Sequence, residues 1–215
     1  FVFSCYGSIF YSINESSNDS ILPRVNVIKK DSKRLYSQFY SDVYKRSKNF
    51  SYDSILAKVK VMEKDTQCVF YLIESAKKLK RINSYQAINL LEESESVSKK
   101  LNFLRGIALS KLYISEINRV KGNNDIALKN CLLAIALLDS IRYTEFLPKA
   151  YNQLAQIYFD VGRKEESYEN DKIAYIYSKK MMNLVEMGRS LTNMGVYFAE
   201  KGEYDKALSN FKECE

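Results

Sequence analysis

Apolar residues recur at spacings of three and four along most of the chain, the spacing that places them on one face of an α-helix. One such stripe contains Ala150, Tyr151, Leu154, Ile157, Tyr158 and Val161. Another contains Leu35, Tyr36, Phe39, Tyr40, Val43 and Tyr44. The 215 residues include only 7 Gly and 2 Pro, too few for the frequent turns of an all-β sandwich or barrel. The pattern therefore predicts an all-α protein.

Three glycines stand at a regular interval within this helical pattern. Gly122, Gly162 and Gly202 are spaced forty positions apart, and a small residue follows each of them by five positions: Ala127, Ser167 and Ala207. Glycine readily adopts the left-handed conformation that ends a helix, and a small side chain lets two helices approach closely. We therefore predict repeated units of two antiparallel helices. A period of this length is typical of a solenoid in which such units stack.

The last of these units resembles a tetratricopeptide repeat. Its signature runs from Leu191 to Phe211, with Met194-Gly195-Val196-Tyr197-Phe198 at the L-G-x-x-Y element and Ala207 and Phe211 at the later small and aromatic positions. The match weakens towards the N-terminus, and in the preceding unit Asp171 replaces the apolar aromatic residue. The family repeat has 34 residues, and helices longer by about three residues each would account for the elongated period of this chain. The resemblance implies an all-α, right-handed α-solenoid of stacked antiparallel helix hairpins.

The same phase predicts the organisation of the chain. We expect an N-terminal arm or signal remnant over 1–30 and a degenerate capping helix hairpin over 31–67. Repeats resembling the family are predicted over 68–215, divided as 68–107, 108–147, 148–187 and an incomplete 188–215. The apolar segment 1–13 is typical either of the tail of a secretory signal region or of an arm packed on the first helices. No capping helix follows Phe211 and Cys214, so we expect the native protein to continue past Glu215.

The chemistry of an enzyme is missing from this sequence. The absence of His excludes histidine-based triads and Cys2His2 zinc sites. There is no glycine-rich phosphate loop or nucleophile elbow. Neighbouring carboxylates such as Glu165 and Glu166 point to different sides of a helix. Cys5, Cys68, Cys131 and Cys214 are far apart and show no metal or redox spacing. We therefore predict no enzymatic activity, no catalytic residues, no metal site and no cofactor.

The formal net charge of +7 does not form a nucleic-acid-binding surface. The only tight basic cluster is Lys77, Lys78, Lys80 and Arg81, where we expect a helix to end. Cations are favoured at that end by the helix dipole and the free carbonyl groups. The sequence therefore predicts no nucleic-acid binding through this segment, and membrane association only through an anchor outside it.

The resemblance also implies a binding surface, because the first helix of each repeat lines the concave groove of such solenoids. The second, fifth, sixth and ninth positions of two successive repeats give the candidate groove residues Lys149, Asn152, Gln153, Gln156, Arg189, Thr192 and Asn193. Cations and amides of this kind can hold a peptide backbone or a carboxylate. An ordinary solvated helix face is the other interpretation of the same residues.

The sequence therefore favours a module that binds a protein or peptide in the concave groove. By analogy, the module resembles the extracytoplasmic sensor or interaction part of a larger bacterial regulator, periplasmic and anchored to the membrane. A cytoplasmic peptide-receptor regulator and a purely structural assembly scaffold are the alternatives.

Overall fold

The computed structural model describes residues 51–214, and within this range it contains helices and turns but no strand. The helices are α1 Tyr52–Val61, α2 Thr66–Leu79, α3 Ser84–Lys100, α4 Leu104–Val120, α5 Asn124–Ser140, α6 Leu147–Asp160, α7 Lys164–Lys180, α8 Leu184–Glu200 and α9 Tyr204–Glu213, with one 3-10 turn at Thr144–Phe146. The prediction of an all-α protein is confirmed. Among these helices, none combines the length and the apolar character needed to cross a membrane.

The residues from Leu56 onward form one compact unit in which consecutive helices pack on each other. The pairs α2–α3, α4–α5, α6–α7 and α8–α9 are hairpins, since short turns reverse the chain between their members. The first helix of each hairpin also contacts the first helix of the next, through α2–α4, α4–α6 and α6–α8. This is the stacking of a solenoid, as the sequence predicts.

A residue with positive φ ends six successive helices, at equal intervals of twenty positions. These residues are Asn102, Gly122, Arg142, Gly162, Met182 and Gly202. At Gly162 the N–H donates to the Phe159 carbonyl at 3.0 Å, and the N–H of Arg163 donates to the Tyr158 carbonyl at 2.8 Å. These two bonds form a Schellman motif, which satisfies carbonyl groups left free at the helix end. A helix of 17 residues with a turn of three then gives the interval, as in α7.

Helices α4 and α8 begin at Leu104 and Leu184, and the 3-10 turn that leads into α6 begins at Thr144. Each start lies four residues before the corresponding predicted unit. The predicted division into repeats stays a prediction, because a continuous array can be cut at several phases. Helix α1 is the described part of the predicted capping hairpin. Residues 51–67 of that hairpin are described, and they include α1 and the first two residues of α2, whereas 31–50 and the predicted arm over 1–30 lie outside the described residues.

Small residues let the two helices of a hairpin approach, as predicted. Ala127, Ser167 and Ala207 are all buried. Ser115 of α4 donates its hydroxyl to the Ala127 carbonyl at 2.7 Å, so the α4 and α5 backbones lie close at this point. In the last hairpin Gly195 faces Phe211, and a Cβ atom at Gly195 would lie 2.4 Å from the Phe211 ring. The residues that resemble the family signature are therefore packing residues.

Gly162 offers a direct test of the turn geometry, because its φ is +79° and a Cβ atom there would meet nothing within 4 Å. Replacement by alanine adds only the backbone strain of a left-handed residue. We expect Gly162→Ala to lower the free energy of unfolding by about 1–2 kcal/mol, measured by urea denaturation.

Asparagine tolerates the left-handed conformation better than alanine does. Gly162→Asn is therefore the matched control and should lose less stability than Gly162→Ala. Equal losses for the two variants would show that the backbone conformation at Gly162 is not the cause.

Candidate functional site

The candidate site is the surface where the first helices α2, α4, α6 and α8 adjoin, which we call the first-helix face. It carries a series of polar contacts made by Lys80, Glu116, Lys149, Asn152, Gln153, Glu186, Arg189 and Asn193. Most of these contacts join side chains of successive hairpins. The first-helix face is therefore both a packing interface and a source of exposed polar groups.

Glu116 of α4 bridges cations from the hairpins on either side. Lys80 donates a hydrogen bond to its Oε1 atom, and the Lys149 Nζ atom lies 3.4 Å from its Oε2 atom. Burial opposes the charge of Glu116, but Lys149 and Lys80 outweigh it and hold the pKa of Glu116 below its ordinary value. Burial, opposed by Glu116 but reinforced by Lys80, lowers the pKa of Lys149. One carboxylate thus serves two cations, which leaves a net positive charge.

Tyr113 lies beneath these lysines on α4. The Lys149 Nζ atom is 4.1 Å from the centroid of its ring, and those of Lys77 and Lys80 are 5.5 Å and 5.9 Å away. Cations at such distances are attracted to the face of the ring. Burial, aided by the charge of Glu116, raises the pKa of the Tyr113 hydroxyl, so the ring stays neutral. Tyr113 therefore helps to position the Lys149 ammonium group.

Asn152 ties α6 to the first turn of α8. Its side chain is fully buried, and its Nδ2 atom donates to the Glu186 carbonyl at 3.0 Å and to Glu186 Oε2 at 2.9 Å. The hydroxyl of Ser190 lies 2.7 Å from the Asn152 Oδ1 atom. Glu186 also accepts from Arg189 Nη1 at 2.9 Å. The amide of Asn152 therefore positions Glu186, which in turn holds Arg189.

Gln153 and Asn193 make similar contacts with their neighbours. The Gln153 Nε2 atom donates to the Ser115 hydroxyl on α4 at 3.1 Å, and Gln153 is buried. The Asn193 Nδ2 atom donates to Asp171 Oδ1 on α7 at 2.9 Å. Thr192 bonds within its own helix, through its hydroxyl and the Gly188 carbonyl at 2.8 Å. The contacts of Gln153 and Asn193 hold neighbouring helices in register.

The seven predicted groove residues therefore divide into two groups. Asn152 and Gln153 are buried between helices, whereas five keep exposed surface: Lys149, Gln156, Arg189, Thr192 and Asn193. The Arg189 side chain is 42% exposed. Gln156 makes no side-chain hydrogen bond to any residue that the structure describes. Contact of these residues with a peptide stays a prediction.

Neither a protein-family model nor a curated protein matches this sequence. Solved structures are similar in fold. The Rap protein complexed with Competence and Sporulation Factor has a TM-score of 0.68 at 16% identity, over 79% of this chain and 49% of that one. A putative kinesin light chain from Podosopora anserina, built of nearly identical TPR-like repeats, has a TM-score of 0.57 at 14% identity, over 84% and 93%. The protein MamA has 0.55 at 22% identity, over 80% and 90%.

The fold is that of the TPR-like α-solenoids. These identities establish the fold alone, and the chain spans about half of the Rap protein. The similarity to these solved structures also confirms the predicted architecture of stacked helix hairpins.

The TPR-like phase explains which polar residues the sequence reasoning missed. Tyr113 and Glu116 precede Gln153 and Gln156 by one full period, so they occupy the same repeat positions in the preceding hairpin. Applying the groove positions to α4 would have found both of them. Glu186 lies outside those positions, and only its contact with Asn152 reveals its role.

Asp171 is the main departure of this chain from the TPR-like pattern. It is buried on α7 at the position that Phe211 occupies one repeat later. Burial raises the pKa of its carboxyl group to about 8, although the hydrogen bond from Asn193 opposes the change. Asp171 is therefore a buried acid beside a candidate groove residue.

No group of three or more acidic or cysteine side chains between 51 and 214 could hold a metal ion. Cys68 and Cys131 are buried free thiols and Cys214 is an exposed one, whereas Cys5 lies outside the described residues.

Substitution of Asn152 tests the hydrogen bonds that join α6 to α8. Asn152→Leu keeps the size of the side chain but leaves Glu186 and Ser190 without their buried partner. We expect the free energy of unfolding to fall by about 2–3 kcal/mol, measured by chemical denaturation. Gln156→Leu is the matched control, one turn further along the same helix, and should change stability by less than about 0.5 kcal/mol. Similar losses for both variants would contradict the role of Asn152.

The pH dependence of the free energy of unfolding tests whether Asp171 is a buried acid with a raised pKa. In the unfolded chain its carboxyl group ionises near pH 3.8, whereas in the folded chain it does so near pH 8. Folding therefore retains a proton between these values, and the free energy of unfolding falls as pH rises from about 4 to 8. Asp171→Asn removes this dependence. Its stability relative to the parent should rise by at least about 1 kcal/mol from pH 5 to pH 8, or roughly 2–4 °C in Tm.

The sequence contains no His, so no other side chain has an ordinary pKa between pH 5 and pH 8. The other residues should therefore add little to the pH dependence of the free energy of unfolding in this range. Parallel stability profiles for Asp171→Asn and the parent protein would show that Asp171 does not titrate there.

Proposed function

We propose that this chain is a protein-interaction module whose ligand is a peptide segment lying against the first-helix face at α6 and α8. The observation that carries the proposal is the fixed placement of Lys149 and Arg189 on successive first helices. Each cation is held by a buried or half-buried carboxylate, Glu116 or Glu186. Groups that are ordered before binding lose little entropy when a ligand arrives, which strengthens binding.

The two cations keep capacity for a ligand although each is already paired. Glu116 is shared by Lys80 and Lys149, so the trio keeps one positive charge. Arg189 contacts Glu186 through Nη1 alone, and a guanidinium group has further N–H donors. A ligand carboxylate can bind to these donors, while the half-buried amides of Gln156 and Asn193 can bond to a peptide backbone.

The structural neighbours support an interaction module. One of them, the Rap protein, was solved in complex with Competence and Sporulation Factor. On this analogy we propose that the chain is the sensor or interaction part of a larger bacterial regulator, with no catalytic residue of its own.

The compartment is a separate proposal, based on the apolar composition of residues 1–13, which lie outside the described residues. We propose that the module is extracytoplasmic and attached to the membrane. Added protease should then degrade it in intact spheroplasts. Protection until the cells are lysed would favour a cytoplasmic peptide receptor instead.

Selection from a random-peptide phage library tests the binding function. The complete chain should enrich peptides, whose affinities are then measured by fluorescence anisotropy. The double variant Lys149→Gln, Arg189→Gln removes both cations and keeps a polar side chain at each position. We expect it to bind the enriched peptides at least about tenfold more weakly, since two charge-assisted hydrogen bonds are lost.

The exposed lysines Lys129 and Lys180 supply the matched control. The pair Lys129→Gln, Lys180→Gln changes the same net charge away from α6 and α8 and should leave the affinity unchanged. Equal binding by the Lys149 and Arg189 double variant would refute the location of the site. Failure to enrich any peptide would refute peptide binding and favour a structural scaffold.

A further inference from the structure

A cleft of ≈ 510 Å³ opens between the turn that follows α2 and the C-terminal end of α4. Its cationic lining comes from Lys80, Arg81 and Lys121, and its acidic lining from Glu116. Ile82 and Val120 also line it, and these side chains are 52% and 74% exposed. We call this the edge cleft, because it lies where the first helices of two hairpins end.

Charge in the edge cleft is unbalanced. Lys80 pairs with Glu116, which Lys149 also contacts. Arg81 and Lys121 are exposed, and neither forms an ion pair with any residue between 51 and 214. Three cations therefore surround a single carboxylate that is already shared.

Ion pairs involve the exposed cations at the corresponding edge of the later hairpins. Arg119 pairs with Asp160 at 2.9 Å between α4 and α6. Lys201 pairs with Glu165 at 3.2 Å between α8 and α7. Arg81 and Lys121 are separated by one full period and so hold the same position of successive repeats. The next two repeats carry Val161 and Lys201 at this position. Two like charges therefore adjoin at the first pair of hairpins, beside the ion pair of Lys80 with Glu116 that joins the end of α2 to α4.

Exposed aliphatic side chains beside unpaired cations have a cost in the free chain, since apolar surface stays in contact with water. A ligand that covers Ile82 and Val120 while offering carboxylates to Arg81 and Lys121 would remove that cost and satisfy both charges. No aromatic ring among the described residues lines the cleft to stack on a nucleic-acid base. The lining therefore matches an acidic peptide better than a single-stranded nucleic acid.

We propose that the edge cleft binds a peptide segment in which carboxylates flank an aliphatic side chain. The proposal rests on the interaction function proposed above, but it adds a second site on different hairpins. It does not require Lys149 or Arg189 to contact a ligand.

A fluorescein-labelled decapeptide of alternating Glu and Leu serves as the probe. Its binding to the complete chain is measured by anisotropy at low and moderate salt, with an alternating Glu and Ser decapeptide and a ten-nucleotide oligo-dT as comparisons. We expect the Glu and Leu peptide to bind most tightly. The variant Arg81→Glu, Lys121→Glu should weaken its binding at least about tenfold, by replacing two attractions with repulsions.

The matched control Lys129→Glu, Lys180→Glu makes the same change in net charge and should leave binding within about twofold of the parent. Ile82→Ser, Val120→Ser should weaken the Glu and Leu peptide but not the Glu and Ser peptide. Thermal unfolding of each variant checks that these exposed substitutions preserve the fold.

Several outcomes would overturn the proposal: unchanged binding by Arg81→Glu, Lys121→Glu, equal losses in the control pair, or tighter binding of oligo-dT than of the peptide. The single variant Arg189→Gln separates the two sites, because Arg189 pairs with Glu186, whereas Lys149 also contacts Glu116 of the edge cleft. Loss of binding in that variant alone would support the first-helix face and refute the edge cleft. Loss in the Arg81 and Lys121 variant alone would do the reverse.

Discussion

Reversal of the chain at equal intervals is the constraint on which the other features depend. Each reversal from the end of α3 to the end of α8 uses one residue with positive φ, and the bonds of the Schellman motif fix the direction in which the next helix leaves. Because the intervals are equal, equivalent positions of successive first helices are brought side by side. The contact of Asn152 with Glu186 and the bridge from Lys80 through Glu116 to Lys149 both depend on this alignment.

Much of the fold can be predicted from the sequence, because the signal is local. Gly122, Gly162 and Gly202 mark every second turn directly. The intervening turns carry Asn102, Arg142 and Met182 in the same left-handed conformation. These three residues share no residue type from which the turns could be predicted. There the packing of helices on both sides imposes a backbone state that Arg and Met adopt at a cost. The sequence period therefore predicts the turn within each hairpin, whereas tertiary contacts determine the conformation of the turn between hairpins.

The candidate site is harder to predict from the sequence, because the burial and contacts of its residues depend on pairing between helices that are distant in the chain. Repeat position alone places Asn152 and Arg189 together in the predicted groove. The structure separates them, since Asn152 is buried by α8 whereas Arg189 stays exposed. Asp171 is visible in the sequence as a departure from the family pattern. Its raised pKa depends on burial against neighbouring helices, which one segment of sequence cannot reveal.

The equal intervals between turns also restrict how such an array can change in length. Inserting one residue into α7, which has 17 residues, would turn every later side chain by about 100° around that helix. The apolar stripe of α8 would then no longer face α6, and the contacts between their polar groups would be lost together. Gain or loss of a whole hairpin leaves each remaining helix with the same face turned towards its neighbours. The array can therefore grow by duplication of complete hairpins, while its helices tolerate substitution far better than insertion.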